Sequence, residues 1–430
     1  MRLSVLLLFL PVVVFAQERL TLEHCYELAR EHYPTVQQLD LIAKSKDYTL
    51  ANANKAYLPQ VSLSAQATYQ SETIDFSQSI GRLPLPIALP EVSKDQYKVV
   101  GEVSQLLYNG GATRAQKELA KAQSAVQAQA VETQLYALKQ RVSNLYFGVL
   151  LIEAQLAQNQ LNAETLQSQL EKAQVALKHG TTLPSNVAEL KAELLRLGMQ
   201  RTEYEATKGM YLKMLSTFIG KELPEDTALQ RPEPRVLSHS NHRPELRGFD
   251  LRQTVLDAQE RLLTSEYLPK IGLFFQGAYG RPTLNIIKNE FDWYYIAGVR
   301  LQWNLSPLYS LSNKKQLLRL QGESLLADRK AFLMSTELDL TQQDTQLSKL
   351  QRLMEQDKES AALRHSVAQA AQVQLDNGVI TTHEYLQKVN AQHLAQQTLL
   401  LHQIQLLQTQ ENQKLINGQS SPSPSKGGEL

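Results

Sequence analysis

Metal binding or catalysis would show first in the histidines, the cysteine and the glycine-rich turns. His383, His393 and His402 stand about ten residues apart. Helical rotation therefore spreads them around a cylinder, where a zinc pair needs i, i+4 stacking. His239-Ser-Asn-His242 lies in a proline-bearing stretch with no other clustered ligands. A single cysteine, Cys25, excludes a disulfide framework and any multi-thiolate metal site; a buried or idle thiol is its expected role. Gly110-Gly111-Ala-Thr113 lacks the lysine and the spacing of a phosphate loop. No Ser/His/Asp or Cys/His arrangement rises above chance. The expectation is no catalytic residue, no cofactor, no resident metal and no enzyme.

Two short segments hold the remaining chemistry. Gly180 and Gly378 are placed to end helices with positive φ. Thr381-Thr-His-Glu384 reads as a capping box, in which Glu384 satisfies amides at a helix start. Asn186-Val-Ala-Glu189 reads similarly in the first segment.

Composition narrows the class. Lys+Arg 44 against Asp+Glu 43 leaves a formal charge of +1, without the basic surplus that a nucleic-acid partner requires. Mean hydropathy of −0.32 excludes a polytopic helical membrane protein. Arg2, the apolar run Leu3–Phe15 and Ala16 before Gln17 have the layout of a secretory signal, with cleavage expected after Ala16.

The chain repeats itself. Tyr57-Leu-Pro-Gln-Val61 returns 210 residues later as Tyr267-Leu-Pro-Lys-Ile271, while Gly180 and Gly378 are 198 apart. One longer loop in the first copy explains the change of offset. The expected organisation is a signal peptide at 1–16, a first repeat at 17–220, a linker at 221–240, a second repeat at 241–418 and a disordered tail at 419–430. Each repeat reads as helix, strand, strand, long helix, turn, helix. The strands fall at about 57–70 and 97–108, then 267–280 and 293–305. The long helices fall at 112–179 and 311–377, followed by helices at 184–219 and 381–416.

Val61, Leu63, Ala65, Ala67 and Tyr69 alternate with polar residues, and Trp293, Tyr295, Ala297, Val299, Leu301 and Trp303 alternate with residues that include Arg300, Gln302 and Asn304. Strands of about ten residues with aromatic ends can cross a bilayer when tilted. The helices carry a seven-residue apolar comb: Ala128, Leu135, Val142, Val149, Leu156, Ala163, Leu170 and Leu177, repeated as Leu326, Leu333, Leu340, Leu347, Met354, Ala361, Ala368 and Leu375. Such a period implies supercoiled helices. A rod from Ala112 to His179 would be about 100 Å long at 1.5 Å per residue. Four strands cannot close a membrane barrel, whose smallest members have eight, so several copies must share one. A secreted coiled-coil scaffold or adhesin without a pore is the competing reading.

In these features the chain resembles the TolC-like outer-membrane efflux and secretion channel family over about Leu20 to Gly418. The carrying residues are Tyr57-Leu-Pro59, Gln105-Leu-Leu-Tyr108-Asn-Gly110-Gly111 before Arg114, His179-Gly180-Thr-Thr-Leu-Pro-Ser-Asn186-Val187, and Asn377-Gly378-Val-Ile-Thr-Thr-His-Glu384. Leu305-Ser-Pro-Leu-Tyr309 departs from the pattern, lacking the glycine pair. The resemblance implies an α+β membrane protein: a homotrimer with a twelve-stranded β-barrel in outer-membrane lipid, continued by an α-helical coiled-coil periplasmic barrel. It implies a periplasmic adaptor (membrane fusion protein) and, through it, an inner-membrane transporter as partners, with no nucleic acid. It also implies that Gly180, Thr181, Thr182, Ser185, Asn186, Val187, Gly378, Val379, Ile380 and Thr381 form the periplasmic tip that meets the adaptor. By position, Glu384, Asn186 and Gln387 then line the pore constriction. Only Glu384 is acidic, so a weak acidic ring is expected, with mutual repulsion raising its carboxyl pKa.

Overall fold

The computed structural model describes residues 20–74, 92–233, 241–285 and 288–419. The signal segment 1–16, the proline-rich loop 83–90 and the tail beyond Gln419 lie outside them. Eleven principal elements follow one another: α1 Leu22–His32, α2 Gln37–Asn54, β1 Gln60–Tyr69, β2 Asp95–Tyr108, α3 Ala112–Lys178, α4 Pro184–Ile219, α5 Pro244–Ser265, β3 Lys270–Arg281, β4 Asp292–Gln302, α6 Leu308–Asp376 and α7 Thr382–Ile416. The chain divides into two units. One comprises Met1–Gln38, Ala130–Leu246 and Lys330–Leu430; the other comprises Leu39–Gln129 and Arg247–Arg329.

The second unit contains a four-stranded antiparallel meander in the order β1-β2-β3-β4. Its register turns alternation along each strand into continuity across the sheet. Val61 faces Val103, which faces Phe275, which faces Ala297. Two rows along on the same face, Ala65, Val99, Tyr279 and Trp293 align. Because strand side chains alternate in direction, these rows share one apolar face. That face is bare: Leu63 is 79% exposed and Trp293 75%. Tyr279 packs on Trp293 with ring centroids 5.0 Å apart, and Phe275 stacks on Tyr295 at 5.9 Å. The opposite face is polar at its centre, where Glu102 accepts a hydrogen bond from Gln276 (2.7 Å) and pairs with Arg300 at 3.3 Å. Among the described residues, the outer edges of β1 and β4 have no strand beside them.

Strand limits follow backbone chemistry. Lys55–Tyr57 forms a 3-10 turn, and Pro59 has no N–H to give a ladder, so β1 begins at Gln60 and not at Tyr57. The two long helices start differently. Before α3, Gly110 and Gly111 take φ of 70° and 80°. Before α6, where that glycine pair is missing, the Asn304 side chain accepts the Ser306 N–H (3.2 Å) and the chain turns without positive φ. An Asx turn does there what glycine does in the first half.

In the first unit, α1 is capped by Thr21, whose side chain accepts the His24 N–H, and buries Leu22, Cys25, Tyr26 and Ala29. That stripe packs into a cluster with Val142, Tyr146 and Val149 of α3, Leu212 and Leu215 of α4, and Ile404 and Leu407 of α7. Cys25 is fully buried, and its thiol is pushed up to about 12 by burial. The start of the linker is pinned here too. Leu20 and Leu229 form a parallel bridge, and the Tyr146 hydroxyl lies 2.7 Å from the Leu20 carbonyl and 2.6 Å from that of Gln230. Residues 234–240 lie outside the described chain.

Candidate functional site

The two helix-to-helix turns share one way of ending a helix and differ in how they start the next. Gly180 and Gly378 have φ of 72° and 73°. The Gly180 N–H donates to the Leu177 carbonyl (3.0 Å) and the Thr181 N–H to that of Ala176 (2.9 Å). Gly378 and Val379 repeat this onto Leu375 and Gln374. Both are Schellman closures, which satisfy carbonyls the helix leaves orphaned. A Cβ at either glycine would meet nothing within 4 Å, so backbone conformation alone requires the residue.

At the start of α7 the capping box is complete. The Thr381 side chain accepts the Glu384 N–H (3.2 Å), and Glu384 Oε2 accepts from the Thr381 N–H (2.8 Å) and hydroxyl (3.1 Å). The backbone bond from Thr381 and then its hydroxyl hold the Glu384 carboxyl below the usual carboxylate range. Within one chain this is opposite to the rise expected from a ring of like charges. At the start of α4 the similar reading of Asn186 and Glu189 fails. Leu183 is the N-cap with no side-chain bond, and Pro184 occupies the first turn, where its missing N–H costs nothing. Asn186 instead donates from Nδ2 to Thr182 Oγ1 (3.0 Å).

Thr181, Ser185, Val379, Thr381, Glu384 and Gln387 are exposed. Thr182, Asn186 and Ile380 are half-buried, and Val187 is buried. Val187 belongs to a four-helix cluster with Leu166 and Leu170 of α3, Leu190 and Leu197 of α4, Ala368 and Ala371 of α6, and Tyr385, Leu386 and Val389 of α7. Ile380 packs against it. The cluster brings both turns to one end of the four helices. Polar contacts link them there: Lys172 pairs with Asp376 at 3.3 Å, and His383 Nδ1 lies 3.7 Å from a Glu189 carboxylate oxygen. Gln387 approaches His383 Nε2 at 3.0 Å, so of the three residues expected at a constriction it is the one engaged with a neighbouring histidine.

Sequence reasoning did not single out Tyr385 or the exposed Leu183 (64%), which matches the expected tip residue Val379 (71%) in leaving an apolar side chain open. Tyr385 aligns with Val187 at the 198-residue offset, which could have marked it as core. Its hydroxyl is pushed up to about 12 by burial and the nearby Asp376. The three histidines stay apart. His402 pairs with Asp357 at 2.6 Å, and His393 is buried and lowered to about 4 by burial and then Arg196. Among the described residues no group of three or more metal-binding side chains occurs, and no helix is long and apolar enough to cross a membrane.

Residues 25–208 match the family described as outer membrane efflux protein. No curated protein matches the chain. Solved structures do. VceC from Vibrio cholerae is similar at 15% identity and a TM-score of 0.61, over 92% of this chain and 94% of that one. CmeC of Campylobacter jejuni gives 14% and 0.62, over 92% and 85%. The open state of MtrE from Neisseria gonorrhoeae gives 14% and 0.64, over 92% and 88%. Residues 25–208 are thus similar in sequence to the outer membrane efflux protein family, and nearly the whole chain shares the fold of these solved channels.

Proposed function

We propose that this chain is the outer-membrane channel subunit of a tripartite efflux or type I secretion system. It sits in the outer membrane with its helical tunnel in the periplasm. Three copies close a twelve-stranded barrel, and their helices form a passive conduit that receives cargo from an inner-membrane transporter through a periplasmic adaptor. The observation that carries this reading is the sheet. Its apolar face is exposed while both edges lack strand partners. Unpaired strand edges are too costly in hydrocarbon, so an edge in lipid needs a partner strand. Nothing in the described chain supplies one; a second copy does, β4 against β1. The reading also follows the family resemblance, which brings the adaptor and the pump with it.

In this reading the turns Gly180–Val187 and Gly378–Leu386 form the periplasmic tip. Leu183, Val379, Thr181 and Ser185 offer the exposed surface for the adaptor, and Val187 supports it from beneath. Three Glu384 carboxylates face the constriction, held ionised by their own caps, and favour cations there. The assembly is tested by fractionating cells that express the full chain. Heat-modifiable, detergent-requiring trimers in the outer membrane, retaining adaptor and pump on pull-down, are expected. Soluble periplasmic material would overturn the proposal. For the tip, Glu384→Gln in planar bilayers should lower cation selectivity and cation block; unchanged selectivity removes that role.

A further inference from the structure

At one edge of the first cluster, charged groups from three helices meet. Glu411 of α7, 8% exposed, accepts the Tyr26 hydroxyl of α1 at 3.0 Å. Lys414, one turn on, lies 3.3 Å from Glu411 Oε2 and 3.4 Å from Glu23 of α1. From α3, the Lys139 ammonium sits 5.6 Å from the Tyr26 ring centroid and 5.1 Å from that of Tyr136, whose hydroxyl donates to the Leu415 carbonyl (2.6 Å). Arg30 pairs with Glu132 nearby, and Arg243 and Glu245 act on Tyr136 from the segment opening α5. Among the described residues, the first helix is thus tied to the end of the last one through a buried carboxyl group.

We propose that this tie is acid-responsive: uptake of a proton by Glu411 strengthens the attachment of α1 to the end of α7. Charge is what makes the buried carboxylate costly, since an ionised group leaves water at a penalty that its partners only partly repay. A protonated carboxyl keeps the Tyr26 bond, and Lys414 keeps Glu23 as its partner, so neutralising Glu411 breaks no link between the two helices. Burial raises its affinity for a proton above the ordinary carboxylate range, against the opposing pull of Lys414 and Tyr26. As pH falls from neutral towards that ordinary range, the folded chain takes up a proton that the unfolded chain does not, and gains stability. Below it both states are protonated and the gain is complete. Lys139 responds in the opposite sense, because burial and then Lys414 lower its pKa, and its relief comes only at alkaline pH.

The tie is separate from the pore reading, and its test does not need a pore. Urea-unfolding midpoints of the detergent-solubilised full chain are measured between pH 8 and pH 4.5, for the parent and for Glu411→Gln. The variant's midpoint minus the parent's should be larger at pH 8 than at pH 4.5, whatever its constant offset. A difference that stays flat, or that grows on acidification, overturns the proposal. Tyr26→Phe removes a donor that favours the charged form, so it should steepen the parent's pH dependence. Should Glu411→Gln fail to fold, that slope decides, and an unchanged slope overturns the proposal.

Discussion

The two long helices carry the same apolar comb 198 residues apart, yet the chain covers them unequally. On α3, Leu135, Val142, Val149 and Leu170 are buried, the middle two completely; Val142 and Val149 pack with α1, α4 and α7, and Leu170 with α4, α6 and α7. On α6 only Thr336, Leu350, Ala368 and Ala371 are buried, while Leu326 stays 53% and Leu333 41% exposed. A seven-residue period states that a helix face seeks a neighbour; it does not state where the neighbour comes from. For α3 the partners lie in the same chain. For α6 they also lie in the same chain at Ala368 and Ala371, while Leu326 and Leu333 stay open among the described residues.

This contrast can be broken by placing a charge on each comb. Val142→Asp puts a carboxylate where no water reaches, and loss of folding is expected, a cost above about 4 kcal/mol; circular dichroism of purified protein reads it. Leu333→Asp should leave the chain helical but reduce the trimer recovered after cross-linking. Equal loss of helicity in both variants would show that α6 is covered within the chain after all.

The turns allow a finer comparison. Gly180→Ala and Gly378→Ala should each cost about 1 kcal/mol through positive φ alone, since no atom crowds either site. Unequal costs would mean that one turn is held by something outside the helix end. Thr381→Ala removes a cap and should cost about 1 kcal/mol, whereas Leu183→Ala at the matching position removes none. The Glu384 contribution has a pH signature. Its folded pKa is depressed, so the stabilisation is present above the ordinary carboxylate range and is lost as pH falls through the folded value. Chemical denaturation across that range in Glu384→Gln should show a flatter acid limb than the parent.

Local rules made much of this legible. Gly180 and Gly378 end helices because only glycine rests easily at positive φ, and Thr381 with Glu384 caps because the i, i+3 spacing places each on the other's amide. Asn186 and Glu189 have the same spacing and form no cap, because Pro184 had already set the helix start and left the N-cap to Leu183. At Asn304 the rule failed in the other direction: a turn formed without the glycines that the matching position uses.

Two properties, then, are settled by sequence alone: the alternation of β1 to β4, and the comb on α3 and α6. Each is a matter of neighbouring residues and a fixed backbone period. Burial and charge were decided in three dimensions. The comb does not say that Val142 is enclosed while Leu333 is open, nor does any motif bring Glu411 to Tyr26 across 385 residues of chain. Those outcomes depend on which helices pack together, and packing is a property of surfaces assembled from distant segments.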